Sequence, residues 1–174
     1  MKYVALLRGI NVGGNNKVDM KLLKKAFEDL GYANVSTYIN SGNVIFESSD
    51  IDFSSVEKSI EKQFGFPVRV LIMNKKDLIK IAKDTPSEWQ NDLDQRTDVL
   101  FLYKDYSSKK SLTLVNQKEG VDRLLYSSGA IIWNIKRKDY SKSGMKKFMG
   151  TEVYKNMTAR NINTLRKLVT LLEK

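Results

Sequence analysis

Residues 2–31 read KYVALLRGINVGGNNKVDMKLLKKAFEDLG, and this stretch decides the fold. The segment Lys2–Gly9 contains a continuous apolar run, which predicts a strand buried on both faces at the centre of a sheet. A helix is predicted over Met20–Leu30, because leucine, alanine and phenylalanine recur there at helical spacing. Asp19 suits the N-cap of this helix, and Gly31 suits its C-terminal stop. A strand, a Gly/Asn-rich loop and a helix are therefore expected in this order.

The following residues complete a β-α-β-β-α-β pattern. Two β-rich runs, Val35–Asn40 and Asn43–Glu47, predict a hairpin with a two-residue turn at Ser41-Gly42. A second helix over Phe53–Phe64 and a fourth strand over Phe66–Met73 follow it. This order of elements is the split βαβ arrangement of a ferredoxin-like plait.

A second β series begins after a third helix, Asp77–Lys83, and an acidic segment at 84–98. It opens with a strand over Asp98–Lys104, while residues 108–117 suit either a helix or a strand. Its remaining predicted elements are a hairpin of Arg123–Ser127 with Ala130–Arg137, which turns at Ser128-Gly129, and two helices, Lys142–Tyr154 and Arg160–Glu173.

We therefore expect an α+β fold in which an N-terminal ferredoxin-like plait is followed by a second, irregular plait-like half. The predicted domains are a ferredoxin-like subdomain at 1–74, a helix and acidic linker at 75–98, and a basic α+β subdomain at 99–174 that ends in an amphipathic helix.

The composition excludes several kinds of chemistry. The chain of 174 residues contains neither cysteine nor histidine, so disulfides, thiol nucleophiles and Ser-His-Asp triads are impossible. Any general base would be a carboxylate, lysine or tyrosine, and neither a metal nor a cofactor is predicted. The apolar runs are too short to span a bilayer and no signal-peptide cleavage site follows the first strand, so a cytoplasmic location without membrane association is expected. The pattern implies no particular oligomeric state.

Positive charge is concentrated in the second half of the chain. The formal net charge is +10, yet residues 1–103 contain equal numbers of basic and acidic residues, so the whole excess lies in 104–174. Such asymmetry favours an anionic partner, either a nucleic acid or a phosphorylated small molecule. A lysine-rich surface that is exposed to solvent and binds no partner would show the same excess of positive charge.

The glycines of the first loop fit no standard phosphate-binding template. They stand at positions 9, 13 and 14, and Lys17 is followed by valine, whereas dinucleotide and P-loop motifs require other spacings. Spacing alone favours a structural connection over an anion cradle. Asp19 would also place a carboxylate where an anion would bind at the helix start.

Three other polar segments are candidates for function. The segment 40–43, NSGN, suits an ordinary hairpin turn. At 158–161, TARN is predicted to enter the last helix with Thr158 or Asn161 as its cap, which leaves Arg160 unfavourably placed in the first turn and suggests another partner for it. The basic run 136–143 follows a strand that carries Trp133, a combination that suits phosphate or nucleic acid but also a solvated hairpin end. The aromatic pattern of an RNP-type RNA-binding sheet is absent.

Several of these segments resemble one bacterial family of unknown function, the family numbered 1697. The similar blocks are YVALLRGINVGGNNKVDM at 3–20, VSTYINSGNVIFES at 35–48, SK at 141–142 and TARNINTLRKL at 158–168. The resemblance implies an α+β structure with a ferredoxin-like subdomain and no particular activity. Many members carry histidine where this chain has Asn15, so a catalytic role of that histidine would be lost here, because an amide is not a base at neutral pH.

The resembling blocks are polar loops or element ends, which suggests where a site would form. In the predicted plait, the first loop and the hairpin turn are expected at opposite ends of the sheet. The first loop, Ser141-Lys142 and the start of the last helix are predicted to converge. The predicted ligand-binding residues are Arg8, Asn11, Gly13, Gly14, Asn15, Lys17, Ser141, Lys142, Arg160 and Asn161.

Three functions remain open at this point. The first is a binding module for an anionic ligand, in which positive charge is supplied by Arg8, Lys17, Lys142 and Arg160. The second is a metal-independent enzyme acting on a phosphorylated or acyl substrate through Lys142 or Asp19. The third is a structural or interaction protein without a ligand, in which the polar blocks only specify loop geometry.

Overall fold

The computed structural model describes all residues, 1–174, and confirms the predicted α+β class. The chain forms two compact units. The first contains Met1–Lys75 together with Leu172–Lys174, and the second contains Lys76–Leu171. Each unit is built on one four-stranded antiparallel sheet.

The first unit confirms the predicted β-α-β-β-α-β order. Its elements are β1 (Lys2–Leu7), α1 (Met20–Asp29), β2 (Ala33–Tyr38), β3 (Asn43–Glu47), α2 (Phe53–Phe64) and β4 (Val70–Asn74). The strand order is β2-β3-β1-β4, with every neighbouring pair antiparallel, which is the order of a ferredoxin-like plait. β1 is a central strand, as its continuous apolar run predicts.

Helices α1 and α2 pack on one face of this sheet and form its core. Leu23 and Phe27 of α1 and Ile60 of α2 are fully buried in the same cluster as Leu7 and Phe46 of the sheet. The rings of Phe27 and Phe46 meet edge to face at 5.3 Å, an orientation that aromatic quadrupoles favour. The predicted N-cap is confirmed, because the Asp19 carboxylate accepts hydrogen bonds from the amides of Lys21 and Leu22.

The predicted two-residue turn between β2 and β3 is wrong. Tyr38 pairs with Asn43, so four residues, 39–42, make the connection. Ile39 has a φ of +51°, which a β-branched residue adopts only under strain. The buried Asn43 amide donates to Tyr38 O at 2.8 Å and to Ser41 Oγ at 3.1 Å, and these contacts fix the wider turn.

The expectation that the first loop and this turn lie at opposite ends of the sheet is also wrong. β1 and β2 are both antiparallel to β3, so they run in the same direction and end at the same edge. The Leu7 amide donates to Gly42 O at 2.8 Å, and the Asn11 side chain donates to Asn40 O at 2.9 Å. Helix α1 carries the chain back to the edge of the sheet where β1 begins. The end of β2, and the turn that follows it, therefore lie beside the first loop.

The second unit repeats the same strand order with shorter helical connections. Its elements are α3 (Lys75–Asp84), β5 (Gln95–Leu102), β6 (Arg123–Ser127), β7 (Ala130–Lys136), α4 (Met145–Phe148), α5 (Glu152–Lys155), β8 (Met157–Asn161) and α6 (Ile162–Glu173), with 3₁₀ turns at Lys104–Tyr106, Lys109–Leu114 and Arg137–Lys142. The sheet order is β6-β7-β5-β8, so each strand occupies the place of its counterpart in the first sheet. The predicted plait-like second half is confirmed.

The predicted β6–β7 hairpin and its turn at Ser128-Gly129 are confirmed. Ser128 and Gly129 have φ values of +42° and +85°, as the favoured two-residue hairpin turn requires. Consecutive residues of β5 and β7 are buried, so both faces of the central strands are covered. Trp133, fully buried, packs against Phe148 at 5.5 Å between ring centroids.

Two predicted helices of the second half are wrong in extent. The helix expected over Lys142–Tyr154 is two short helices, because the chain turns at Gly150, whose φ is +107°. The last helix begins at Ile162 rather than Arg160, since residues 157–161 pair with β5 as β8. Sheet pairing overrides the helical periodicity there. The predicted capping by Asn161 is confirmed, because its Oδ1 accepts from the Thr164 amide at 2.9 Å.

The contact between the β2–β3 turn and the end of β1 predicts a difference between two glycines. A Cβ on Gly42 would lie 2.6 Å from Ile10 Cδ1 and 2.8 Å from Leu7 Cβ, whereas a Cβ on Gly13 would meet nothing within 4 Å. Both residues have positive φ. We expect Gly42→Ala to lower the free energy of unfolding by about 2–4 kcal/mol, and Gly13→Ala by about 1–2 kcal/mol.

Urea unfolding of both variants checks this prediction. Gly13→Ala is the matched control, because it shares the backbone strain and lacks the overlap. Equal losses in the two variants would show that Gly42 is needed only for its φ.

Candidate functional site

The Gly/Asn-rich loop forms a miniature hairpin. The backbone N–H of Asn11 donates to Asn16 O at 3.1 Å, and the backbone N–H of Asn15 donates to Val12 O at 3.1 Å. Gly13 and Gly14 form its tip, with φ values of +59° and +81°. Positive φ at both tip positions accounts for the two glycines.

The side chain of Asn11 holds the base of this hairpin. Its Nδ2 donates to Val18 O at 3.1 Å as well as to Asn40 O, and its Oδ1 accepts from the Val18 amide at 2.9 Å. Both amide hydrogens and one lone pair are therefore used within the protein. The Asn11 side chain acts as a clasp between the loop, the start of α1 and the β2–β3 turn.

Four of the predicted ligand-binding residues, all of them exposed, lie at or beside this clasp. Asn11, Gly14 and Lys17 line one shallow depression of about 680 Å³, and Asn15 is exposed beside Gly14. The Asp19 carboxylate also lines the depression while it caps α1. An anion there would meet this negative charge at the helix start. Arg8 lies at the end of β1, where its amide donates to Arg69 O at 3.0 Å.

The predicted residues of the second unit occupy three different environments: an exposed turn, a buried strand position and, for Asn161, the N-terminal cap of α6. Ser141 and Lys142 lie in an exposed 3₁₀ turn, and Lys142 Nζ contacts Asp139 Oδ1 at 2.9 Å. Arg160 is buried in β8, where its Nη1 donates to Thr158 Oγ1 at 3.1 Å and to Ala159 O at 2.7 Å. Burial lowers the pKa of Arg160 to about 10, while Tyr103 acts in the opposite direction. Arg160 is therefore still protonated at neutral pH.

A buried carboxylate that the sequence analysis missed organises the segment beside Lys142. Asp122 accepts hydrogen bonds from Trp133 Nε1 at 3.0 Å, Ser143 Oγ at 2.5 Å, and the amides of Gly144 at 2.9 Å and Lys118 at 2.7 Å. Burial raises the pKa of this carboxyl, but the four donors together outweigh burial and lower it. Four donors on one buried carboxylate fix the loop positions of this half.

Gly144 is required by the same arrangement. Any Cβ at this position would overlap the carbonyl of Asn116. The Ser143-Gly144 dipeptide therefore fits closely between Asp122 and the segment at 116–118. Its only sequence signal is a Ser-Gly pair within a basic run.

A second feature, of which the sequence analysis singled out only the basic run 136–143, is a pair of depressions at one end of the second sheet that share one lining residue. Their volumes are about 330 and 280 Å³, and Arg137 lines both. We call them the arginine groove, which is lined by Leu93, Asp94, Gln95, Arg96, Arg123, Lys136, Arg137, Lys138 and Tyr140.

Strand register brings three arginines to one end of the sheet, with the side chains of Arg96 and Arg123 on opposite faces. Arg123 pairs with Asn134, and Arg96 pairs with Ile135 on the other side of β7. The start of β6, the start of β5 and the end of β7 therefore lie at the same end of the sheet. The predicted hairpin already placed Arg123 near the end of β7, but the pairing of β5 with β7 is a tertiary contact that periodicity does not reveal.

Each guanidinium of the groove is held by neighbouring groups. Arg137 Nε donates to Asp92 O at 2.6 Å, and its Nη2 donates to Asn91 Oδ1 at 3.1 Å. Arg96 Nε donates to Asp98 Oδ2 at 2.6 Å, and its guanidinium carbon lies 5.4 Å from the centre of the Tyr140 ring.

Arg123 is held in a similar way. Its Nη2 donates to Asn134 Oδ1, and its guanidinium carbon lies 5.5 Å from the centre of the Trp89 ring. Arginines held by hydrogen bonds and aromatic rings lose little conformational entropy when they contact a ligand.

Two carboxylates that contact the segments around the groove have pKa values shifted in opposite directions. Burial raises the pKa of Asp98, and the charge and hydrogen bond of Arg96 oppose this effect. Hydrogen bonds from the amides of Gln95 and Asp94 lower the pKa of Asp92. The ionised Asp92 thus fixes the turn whose carbonyl oxygens accept hydrogen bonds from Arg137.

Taken together, the fold and the groove define an α+β protein of two plait-like halves, the second of which carries a basic groove on its surface. The chain belongs to the family of proteins of unknown function DUF1697, whose model matches residues 1–133. This confirms the resemblance found in the sequence. No helix of the structure combines the length and apolar character that a membrane span requires.

A solved structure resembles the chain over nearly its full length. The conserved bacterial protein SP0830 from Streptococcus pneumoniae is 29% identical, and the alignment covers 98% of each chain with a TM-score of 0.82. No curated protein matches the chain. These relatives establish the family and the architecture, and their names state no activity.

The Asp122 network generates a prediction for stability and its dependence on pH. We expect Asp122→Asn to lower the free energy of unfolding at pH 7 by about 2–4 kcal/mol, because an amide cannot accept from all four donors. The folded-state pKa of Asp122 is depressed, so its stabilisation is present above the unfolded value near 3.8 and is lost as the pH falls through the folded value.

Urea unfolding between neutral and acid pH, followed by tryptophan fluorescence, checks this prediction. The variant should lose less stability than the wild type on acidification. The control is Asp105→Asn, which removes an exposed carboxylate of the same unit. An Asp122→Asn variant as stable as this control would contradict the proposed role of the network.

Proposed function

We propose that the protein is a binding module for an anionic ligand and that the ligand binds in the arginine groove. The observation that carries this proposal is the presence of three arginines, each held by internal contacts, at one end of the second sheet, where they line two depressions that share Arg137. A guanidinium presents five N–H donors in a planar arrangement that matches phosphate and carboxylate groups.

The groove arginines keep unused donors after their internal contacts. Arg96 uses Nε for Asp98, which leaves both terminal nitrogens for a ligand, and its side chain is 37% exposed. Arg137 uses Nε and Nη2, and Arg123 uses Nη2. Since the internal contacts already restrict these side chains, the entropic cost of binding an anion is reduced.

The charge of the surrounding residues supports the same ligand class. Lys136 and Lys138 line the groove beside Arg137. The single acidic residue of the lining is Asp94. A groove with this balance attracts anions over a distance set by ionic strength.

None of the ten residues predicted from the sequence as ligand contacts lines the arginine groove. Ligand binding by Arg8, Lys17 or Lys142 remains a prediction. The proposal also assumes the cytoplasmic location that was predicted from the sequence, where phosphorylated metabolites and nucleic acids are accessible.

Removal of one groove charge provides the test. We expect Arg137→Gln to elute from heparin, used as a general polyanion, at a lower salt concentration than the wild type. It should also show a smaller rise in Tm when pyrophosphate is added. The reason is that Arg137 lines both depressions. Because Arg137 also anchors the segment before β5, Lys138→Gln, which removes an exposed charge of the groove, is measured beside it and should show the same changes.

The control variant is Lys109→Gln, which removes one positive charge from an exposed position of the same unit outside the groove. Its elution and thermal shift should stay close to those of the wild type. Equal effects of the two substitutions would indicate diffuse attraction by the net charge and would contradict a site in the groove.

A further inference from the structure

The two depressions of the arginine groove are lined from opposite faces of the second sheet. In the register of β5, β6 and β7, the side chains of Gln95, Arg123 and Lys136 share one face, whereas that of Arg96 points to the other. The first depression contains the former three residues, and the second contains Arg96. A small ligand bound beside Arg123 therefore does not reach Arg96, and the two depressions are separate sites.

The depression beside Arg123, which we call the cationic pocket, concentrates positive charge. It measures about 330 Å³ and is lined by four cationic side chains and one carboxylate, a net charge of +3, from Arg123, Lys136, Arg137, Lys138 and Asp94. The other depression contains two arginines and Tyr140, and Arg96 is already paired there with Asp98 at 2.6 Å. The cationic pocket is therefore the stronger site for an anion with several charges.

A buried polar network fixes Arg123 at the wall of this pocket. Asn134, which is fully buried, accepts from Arg123 Nη2 and donates to Gln95 Oε1 at 2.8 Å and to Thr97 Oγ1 at 2.6 Å. The ring of Trp89 supports the guanidinium from one side, at 5.5 Å from its carbon to the ring centre. These contacts leave Nε and Nη1 of Arg123 for a ligand.

The other cations reach the same pocket from the end of β7. Arg137 uses Nε and Nη2 for the turn before β5, which leaves Nη1 for a ligand. Lys136 and Lys138 are exposed on either side of it in the chain. Lys136 is also the diagonal neighbour of Arg123 across β6 and β7, at roughly 7–8 Å between Cα atoms. Two anchored guanidinium groups and two ammonium groups thus surround one small volume.

From this arrangement we propose that the ligand of the cationic pocket is a diphosphate group, either free pyrophosphate or the terminal diphosphate of an organic ester. Arg123 and Arg137 donate to the phosphate oxygens through their unused N–H groups, and Lys136 and Lys138 balance the remaining charge. This inference rests on the proposed function of the groove and names its ligand class and the depression that binds it.

Charge distinguishes a diphosphate from other anions. A phosphate monoester carries about −1.5 to −2 at neutral pH, and a second linked phosphate adds about one further negative charge. The total matches the net charge of the pocket lining. A phosphodiester of a nucleic acid carries a single negative charge, so it would leave most of the positive charge of the pocket unbalanced.

The test compares phosphates that differ in their number of linked phosphate groups. Isothermal titration calorimetry at low ionic strength and without divalent cations measures binding of pyrophosphate, ADP, inorganic phosphate and AMP. We expect pyrophosphate and ADP to bind about tenfold more tightly than inorganic phosphate and AMP. Equal affinities of pyrophosphate and ADP would support recognition of the diphosphate group alone, and tighter binding of ADP would support a nucleotide as its source.

A matched pair of arginine variants locates the site. Arg123→Gln removes a charge and donors from the cationic pocket and should weaken pyrophosphate binding about tenfold. Arg96→Gln removes the same groups from the opposite face and should change the affinity less than twofold. Lys109→Gln is again the second control, and each variant is first checked for an unchanged Tm.

Removal of the carboxylate provides a test in the opposite direction. Asp94 is the single acidic residue of the pocket lining, so Asp94→Asn should strengthen pyrophosphate binding about threefold. A gain in affinity does not arise from a loss of folded protein, which makes this variant independent of stability.

The outcomes distinguish this inference from the proposed function. Inorganic phosphate that binds as tightly as pyrophosphate, equal losses in Arg96→Gln and Arg123→Gln, or no gain in Asp94→Asn would overturn the diphosphate assignment while anion binding by the groove stands. If neither heparin nor any of the four phosphates binds in a way that depends on Arg137 and Lys138, the proposed function fails as well. If Arg123→Gln lowers the Tm, it is replaced by Lys136→Gln, which alters an exposed side chain of the same pocket and should weaken binding about threefold.

Discussion

The anchoring of Arg137 to the segment before β5 is the interaction on which the second half of the molecule depends. Its amide donates to Asp94 O, and its guanidinium donates to Asp92 O and Asn91 Oδ1. These bonds join the end of β7 to the start of β5 and satisfy carbonyl groups that no strand partner reaches. The acidic segment is thereby fixed against the sheet, and the same contacts orient the cation that lines both depressions of the groove.

The first half depends on a comparable polar contact at the end of its sheet. The side-chain amide of Asn11 joins the first loop, the segment before α1 and the β2–β3 turn through three hydrogen bonds. The glycines at the tip of the loop serve its backbone conformation. Their presence in the block that resembles the family is therefore explained by backbone geometry.

Sequence reasoning succeeded where local periodicity and local capping agree with the tertiary structure. The exact bounds of α2, the cap at Asp19 and the β6–β7 turn at Ser128-Gly129 all follow from residues close in the chain. It failed where a distant partner decided the conformation. Residues 157–161 form a strand because β5 pairs with them, and Ile39 adopts a positive φ because the buried Asn43 closes a wider turn. For the candidate site, the basic run after β7 was visible in the sequence, but its neighbours Arg96 and Asp92 were not.

The sequence by itself determined the family, the α+β class, the plait order of the first half and the concentration of positive charge in the second. These properties depend on composition, on periodicity and on long matching blocks, all of which are properties of a linear chain. Only the tertiary structure decided which polar residues are neighbours. Strand pairing placed the first loop beside the β2–β3 turn, and it brought Arg96, Arg123 and Arg137 from three separate segments to one end of a sheet. Sheet register sets these distances, and register is fixed by side-chain packing between strands that are far apart in sequence.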